Sequence, residues 1–354
     1  MHRHLKVPTL KMMSSFVRTI VLPVVLCFSS LAALLTISSA QTKTYSTPLS
    51  GPELSGPIVK PGLSPPADDA VDQEKPADYA YGAFQRGYYL TALKLALPRA
   101  ESGDPAAQTL IAELYWRGLG VGKDQKEGAR WYAFAADAGG REAQFAYGNI
   151  LLRGKVVEQD KERGETYLRK AADAGHARAS FNLAQIMTAR RPTWATFKKA
   201  LPYYTVAAKA GVPDAQYALA NIHAEAKGVL VNDEPLARKW LEKSARAGFD
   251  SAQVDLAIWL ANGRGGKQDL EQALFWFGKA ATGGNVVAQN RLARMYAFGT
   301  GVPADPIRAG AWHILARRAG FADTEMDRRF QSLSEINRKR ALEAANQLAT
   351  RLRR

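Results

Sequence analysis

Between residues 106 and 117 the apolar side chains fall at Leu110, Ile111, Leu114 and Tyr115, a spacing that puts one stripe on one face of a helix. Gly118 and Gly120 end that helix, Val121 plugs the loop, and Asp124 stands where a side-chain oxygen accepts the free amides of a following helix. The second helix is predicted over roughly residues 125–138. Its Trp131, Ala135 and Ala136 combine one large side chain with two small ones, so neighbouring helices approach closely while the ring fills the gap. Gly139 and Gly140 close the unit.

The pattern then returns. An Ala-Gln pair recurs at Ala107-Gln108, Ala143-Gln144, Ala215-Gln216, Ala252-Gln253 and Ala288-Gln289, with Ala179-Ser180 in the remaining slot. An aromatic keeps the same step at Trp131, Tyr167, Tyr203, Trp240, Trp276 and Trp312, and a glycine at Gly139, Gly175, Gly211, Gly248, Gly284 and Gly320. A period of about 36 residues predicts an all-α fold, an α-solenoid of stacked two-helix repeats. Six units occupy residues 105–320. Residues 78–104 form an incomplete opening unit: Ala92, Leu95, Ala100 and Gly103 fall in register with later second helices, after a short helix near residues 79–85. Residues 321–354 supply capping helices, a short one around 323–331 and a final one over about 335–352 that Ser334 caps.

Taken in order, Ala-Gln, Leu-Ala, Met-Tyr, Gly-x-Gly-Val, Asp, Ala-x-x-Trp and Ala-x-x-Gly resemble the Sel-1-like repeat, a relative of the tetratricopeptide repeat. The fullest copy carries Ala288, Leu292-Ala293, Met295-Tyr296, Gly299-Thr300-Gly301-Val302, Asp305, Ala309, Trp312, Ala316 and Gly320. The resemblance covers about residues 78–320. It implies a protein-binding scaffold or adaptor whose repeated residues are structural and not catalytic. Some cysteine-rich secreted members are linked to β-lactam binding or hydrolysis; this chain departs from them, because its one cysteine, Cys27, precedes the repeats.

The first forty residues belong to targeting. Arg3, Lys6, Lys11 and Arg18 carry positive charge without an acid, residues 19–37 are apolar, and Ser38-Ser39-Ala40 offers small residues for cleavage. Residues 1–40 read as a secretory signal peptide, or as a membrane anchor if uncleaved, and the chain as exported to the periplasm. After cleavage no cysteine remains, so no disulfide framework exists. Residues 41–77 hold Pro48, Pro52, Pro57, Pro61, Pro65, Pro66 and Pro76 among small polar residues and read as an extended linker.

Charge singles out one end of the chain. The net charge of +15 falls to +11 without the four basic residues of the signal, and Arg328, Arg329, Arg338, Lys339, Arg340, Arg351, Arg353 and Arg354 crowd the C-terminus. Such a surface attracts anionic membrane, acidic glycan or an acidic protein, an attraction that salt screens; export removes nucleic acid from consideration.

No catalytic constellation emerges. His223 takes the slot held by Tyr115 and Tyr296, His313 follows Trp312 on a packed helix, and His176 lies in a turn. None has metal-ligand spacing, and no cofactor or small-molecule substrate is expected. Specificity belongs where repeats differ. The third unit departs most, its interhelix loop reading Ala189-Arg190-Arg191-Pro192-Thr193-Trp194, with Arg190, Arg191 and Trp194 as candidate binding residues. A second candidate surface is the face of the first helices. One column there holds Glu113, Asn149, Gln185, Asn221, Ile258 and Arg294, with amides suited to a peptide backbone; beside it run Thr109, Phe145, Phe181, Tyr217, Val254 and Asn290. The expected partner is another protein, with acidic glycan or anionic membrane as the alternative.

Overall fold

A computed structural model of the chain describes residues 78–225 and 232–352. Residues 1–77, read above as a signal peptide and a proline-rich linker, lie outside the described residues, as do Arg353 and Arg354. Residues 78–354 form one compact unit, with helices and no strand among the described residues.

The opening unit consists of α1 (Tyr79–Gln85) and α2 (Tyr89–Glu101). Six helix pairs follow: α3 (Pro105–Arg117) with α4 (Gln125–Asp137), α5 (Arg141–Arg153) with α6 (Lys161–Asp173), α7 (Ala177–Arg190) with α8 (Trp194–Lys209), α9 (Pro213–Glu225) with α10 (Glu234–Arg246), α11 (Asp250–Asn262) with α12 (Leu270–Thr282), and α13 (Val286–Phe298) with α14 (Pro306–Arg318). The cap is α15 (Thr324–Gln331) and α16 (Glu335–Leu352), and α16 packs on α14. Each second helix packs on its own first helix and on the first helix of the next unit.

The boundaries follow from local chemistry. Asp124 accepts amide hydrogens from Lys126 and Glu127, each at 3.0 Å, and its own N–H closes the loop onto the Tyr115 carbonyl at 3.0 Å. Asp160, Asp233, Asp269 and Asp305 repeat both bonds. Between units, Gly139 at φ +88° lets the chain reverse while the N–H of Gly140 reaches the Ala135 carbonyl at 2.8 Å.

The core is built largely from alanine, which lets helix axes come close. Ala107, Ala143, Ala179, Ala215, Ala252 and Ala288 are buried, as are Ala100, Ala136, Ala172, Ala208, Ala245 and Ala281 on the preceding second helices. The glutamine that follows five of these first-helix alanines is also buried. Its Nε2 donates to the carbonyl of the alanine eight residues back: Gln108 to Ala100, Gln144 to Ala136, Gln216 to Ala208, Gln253 to Ala245 and Gln289 to Ala281, at 3.0 to 3.3 Å. Those carbonyls sit at helix C-termini, where the N–H of the turn glycine three residues on is their backbone donor, so each glutamine adds a second donor and clamps one unit to the next. The aromatic column packs inward as expected at Tyr167, Trp276 and Trp312, whereas Trp131, Tyr203 and Trp240 are half-buried.

The third unit breaks the scheme. Ser180 replaces the clamp glutamine and bonds its own turn at the His176 carbonyl, 3.1 Å away. The expected loop over residues 189–194 is shorter: α7 runs through Arg190, α8 starts at Trp194, and only residues 191–193 connect them. Units one, two, five and six end their first helix on a left-handed glycine, at Gly118, Gly154, Gly263 and Gly299. The third has none, and the helix continues until Pro192 forces Arg191 into extended backbone at φ −145°. Thr193 takes over as N-cap, accepting from the Thr196 amide.

Candidate functional site

The first-helix column forms one surface. Glu113, Asn149, Gln185, Asn221, Ile258 and Arg294 are all half-buried, one per consecutive first helix. In the neighbouring column Thr109, Phe145, Phe181 and Tyr217 are half-buried, while Val254 and Asn290 are buried.

Several of these residues are already engaged. Glu113 accepts from the Tyr132 hydroxyl and pairs with Arg117. Burial, followed by the Glu113 carboxylate, pushes the Tyr132 phenol far above its ordinary range, so that hydroxyl stays a donor. The Nδ2 of Asn149 donates to the Phe145 carbonyl at 2.7 Å, and its Oδ1 accepts from Asn182 of the next unit at 3.1 Å. Arg294 lies 2.8 Å from Asp323 in the cap and over the Phe298 ring. Burial pushes the Asp323 carboxyl up, but Asn290, Arg294 and the Met326 amide all donate to it and together hold it at about 2. Gln185 has a buried amide oxygen with no partner among the described residues.

Asn182, Asp255 and the contacts of His176 are among the partners that the sequence did not single out. Asn182 and Asp255 belong to a third column, where the other units carry Leu110, Ala146, Ala218 and Arg291; the polar intrusion into a mostly small, apolar column was the available signal. The Tyr217 hydroxyl donates to Asp255 at 2.6 Å. His176 caps α7, its Nδ1 accepting from the Ala179 amide at 3.0 Å. Its Nε2 lies 2.9 Å from Glu142, and the ring stacks on Phe145 at 4.4 Å. The other histidines pack structurally: His313 is buried against Asp327 at 2.9 Å, and burial lowers the half-buried His223 against the pull of Asp233.

At the third-unit junction a shallow pocket is lined by Met187, Arg190, Arg191, Thr193, Thr196 and Lys199, among others. Arg190 pairs with Glu165 of the preceding unit at 2.5 Å, whereas Arg191 and Lys199 are exposed. The side chain of Trp194 lies outside the described residues. At the C-terminus Arg328 and Arg329 both pair with Glu325, so the exposed basic surface there centres on Arg338, Lys339 and Arg340. Among the described residues no three potential metal ligands converge, and no helix is long and apolar enough to cross a membrane.

The Sel1 repeat pattern matches residues 105–140, 141–176, 213–249, 250–285 and 286–321. The chain belongs to the Sel1 repeat family. The helix pair it does not match, α7 with α8, is the one that lacks the glutamine clamp and the aspartate cap. Sel1 repeat proteins are generally protein-interaction scaffolds and typically non-catalytic. Two solved Sel1-type folds are similar. The protective antigen c5321 of uropathogenic Escherichia coli is 26% identical, with TM-score 0.63 over 77% of this chain and 61% of that one. A Sel1 repeat protein from Oxalobacter formigenes is 28% identical, with TM-score 0.57 over 70% of this chain and all of that one. A curated relative, chitin synthase regulatory factor 3 of Schizosaccharomyces pombe, is 34% identical over 97 residues, which span 27% of this chain and only 10% of that protein.

Proposed function

We propose that this chain is an exported, non-enzymatic adaptor that binds a protein partner along the first-helix face and acts in the bacterial periplasm. The carrying observation is the column of six half-buried residues on six consecutive first helices, cross-linked between units by Asn149 with Asn182 and Tyr217 with Asp255. A surface held at that rigidity loses little freedom when a ligand orders on it. Gln185 and Asn221, at its centre, are the residues on which the reading places most weight. The apolar stretch after the N-terminal basic residues supports export. Regulation of envelope assembly, signalling or polysaccharide production is the pathway class we favour; the name of the fungal relative, chitin synthase regulatory factor 3, fits the last of these.

A second reading has a specific observation behind it. Three successive exposed cations, Arg338, Lys339 and Arg340, face solvent on α16, a surface suited to acidic glycan or anionic membrane.

A crosslinked pull-down from the exporting cell, at low and moderate salt, separates the two. The adaptor reading expects one protein retained at both salts and lost on Gln185→Ala with Asn221→Ala. Capture of glycan or lipid alone, fading as salt rises, overturns it. Cell fractionation of the tagged chain tests export: the protein recovered with cytoplasmic markers rules that part out.

A further inference from the structure

Large exposed apolar side chains are concentrated at one end of the solenoid. Tyr79, Tyr81, Tyr88, Leu90, Leu95 and Leu97 all lie on the opening unit, with Tyr79 at 73%, Leu90 at 66% and Tyr88 at 62% exposure. These positions are unusual for the repeat. Where α2 has Leu90, the later second helices have Lys126, Glu162, Lys198, Pro235, Glu271 and Ile307. Where it has Leu97, they have Ala133, Arg169, Thr205, Glu242, Gly278 and Ile314. Tyr88 stands at the N-cap and makes no side-chain cap bond, in the slot where Asp124, Asp160, Asp233, Asp269 and Asp305 cap their helices. The opening unit thus gives up a stabilising cap and a polar surface for exposed tyrosine and leucine.

The charges around this patch indicate what covers it. Arg86 and Lys94 are exposed beside it; Asp78 is tied to Arg99 at 2.9 Å, leaving Glu101, at the far end of α2, as the exposed carboxylate. Tyrosine and leucine interleaved with arginine and lysine is the composition that settles at the headgroup level of a bilayer. A second copy of this chain fits poorly, because a two-fold contact joins the same patch to itself and so brings together two surfaces that each expose Arg86 and Lys94. The described residues begin at Asp78, the N-cap of α1 in this same unit, so the patch stands at the solenoid end where the preceding chain joins. We propose that the opening unit rests on a phospholipid surface containing anionic headgroups, lying on the membrane and not crossing it. This inference is independent of the partner-binding role of the first-helix face.

Vesicle flotation tests it on residues 41–354, which keep the whole compact unit. Binding to phosphatidylglycerol–phosphatidylcholine vesicles is expected, weakening on phosphatidylcholine alone. Leu90→Ser with Leu97→Ser is expected to cut the bound fraction about tenfold, and Tyr88→Ser to cut it less, with helical circular dichroism unchanged because all three side chains are exposed. A triple variant, Arg338→Ala, Lys339→Ala and Arg340→Ala, is expected to keep most of the binding. Three results overturn the proposal: no binding by the unaltered chain, undiminished binding by the leucine variant, or loss confined to the triple variant. A dimer in solution that the leucine variant dissociates would assign the patch to a second copy instead.

Discussion

The hydroxyl of Tyr217 on α9 donates a 2.6 Å hydrogen bond to the carboxylate of Asp255 on α11, joining the fourth and fifth units across the first-helix face. Burial raises the Asp255 carboxyl, and this hydroxyl works against the rise. Tyr217→Phe removes the donor and leaves a desolvated carboxylate, at a cost of about 1–3 kcal/mol near neutral pH. The same change raises the carboxyl further. A carboxyl whose folded pKa lies above its unfolded value favours the folded state when protonated, so the cost shrinks at acid pH and grows as pH rises through the folded pKa. Urea unfolding of both chains at pH 4 and pH 7 reads this directly; equal costs at the two pH values would contradict it.

The cap carries the opposite sign. Asn290, Arg294 and the Met326 amide hold Asp323 at about 2, below the unfolded aspartate at about 3.9. The stability from Asp323 is therefore complete above the unfolded value and is lost as pH falls through the folded one. Asp323→Asn keeps a good N-cap for α15 while removing the charge. Its expected signature is lower stability at neutral pH and a flatter decline between pH 4 and pH 2 than the unaltered chain shows. A decline of unchanged slope would show that other carboxylates dominate acid unfolding.

Two helical glycines separate tight packing from mere flexibility. A Cβ on Gly148 of α5 would meet the Gly164 carbonyl oxygen of α6 at 2.9 Å, backbone against backbone, whereas a Cβ on Gly278 of α12 meets nothing within 4 Å. Gly148→Ala is expected to cost about 1–3 kcal/mol by forcing the helices apart. Gly278→Ala is expected to gain about 0.5–1 kcal/mol by removing backbone freedom from a helix interior. Thermal midpoints moving in opposite directions are the check.

The sequence made the helix pairs readable because their signals are local. Each second helix after an aspartate starts where that side chain caps it, and Asp124 needs only the amides two and three residues ahead. The contacts that bind unit to unit are not local. The Ala-Gln pair marked the period, but that Gln108 clamps the Ala100 carbonyl depends on how the turn at Gly103 folds the chain back. Asn149 meets Asn182 across 33 residues, a separation that recurrence suggests and side-chain direction decides. The junction at Arg191 differs for another reason: residues 189–194 stand where the other units have their interhelix loop, but with no glycine to end it α7 continues through Arg190 until Pro192 stops it. Likewise the sequence sets Glu113 and Arg294 in one column of the first helices, and only the fold brings Tyr132 and Asp323 beside them.

Where the glutamine clamp is missing, His176 spans the gap, and its two contributions are separable. Nδ1 caps α7 at the Ala179 amide, while Nε2 and the ring face reach back to Glu142 and Phe145 of the second unit. His176→Ala loses both. His176→Asn restores a cap, since asparagine is among the best N-cap residues, and is expected to recover about 1 kcal/mol relative to alanine. What it does not recover belongs to the link across the boundary. In a stacked array that link couples neighbouring units, so the asparagine chain is expected to unfold less cooperatively, with amides of α7 and α8 exchanging earlier than those of α5. Hydrogen exchange resolved by helix measures this, and protection lost equally on both sides of the boundary would show that His176 serves only as a cap.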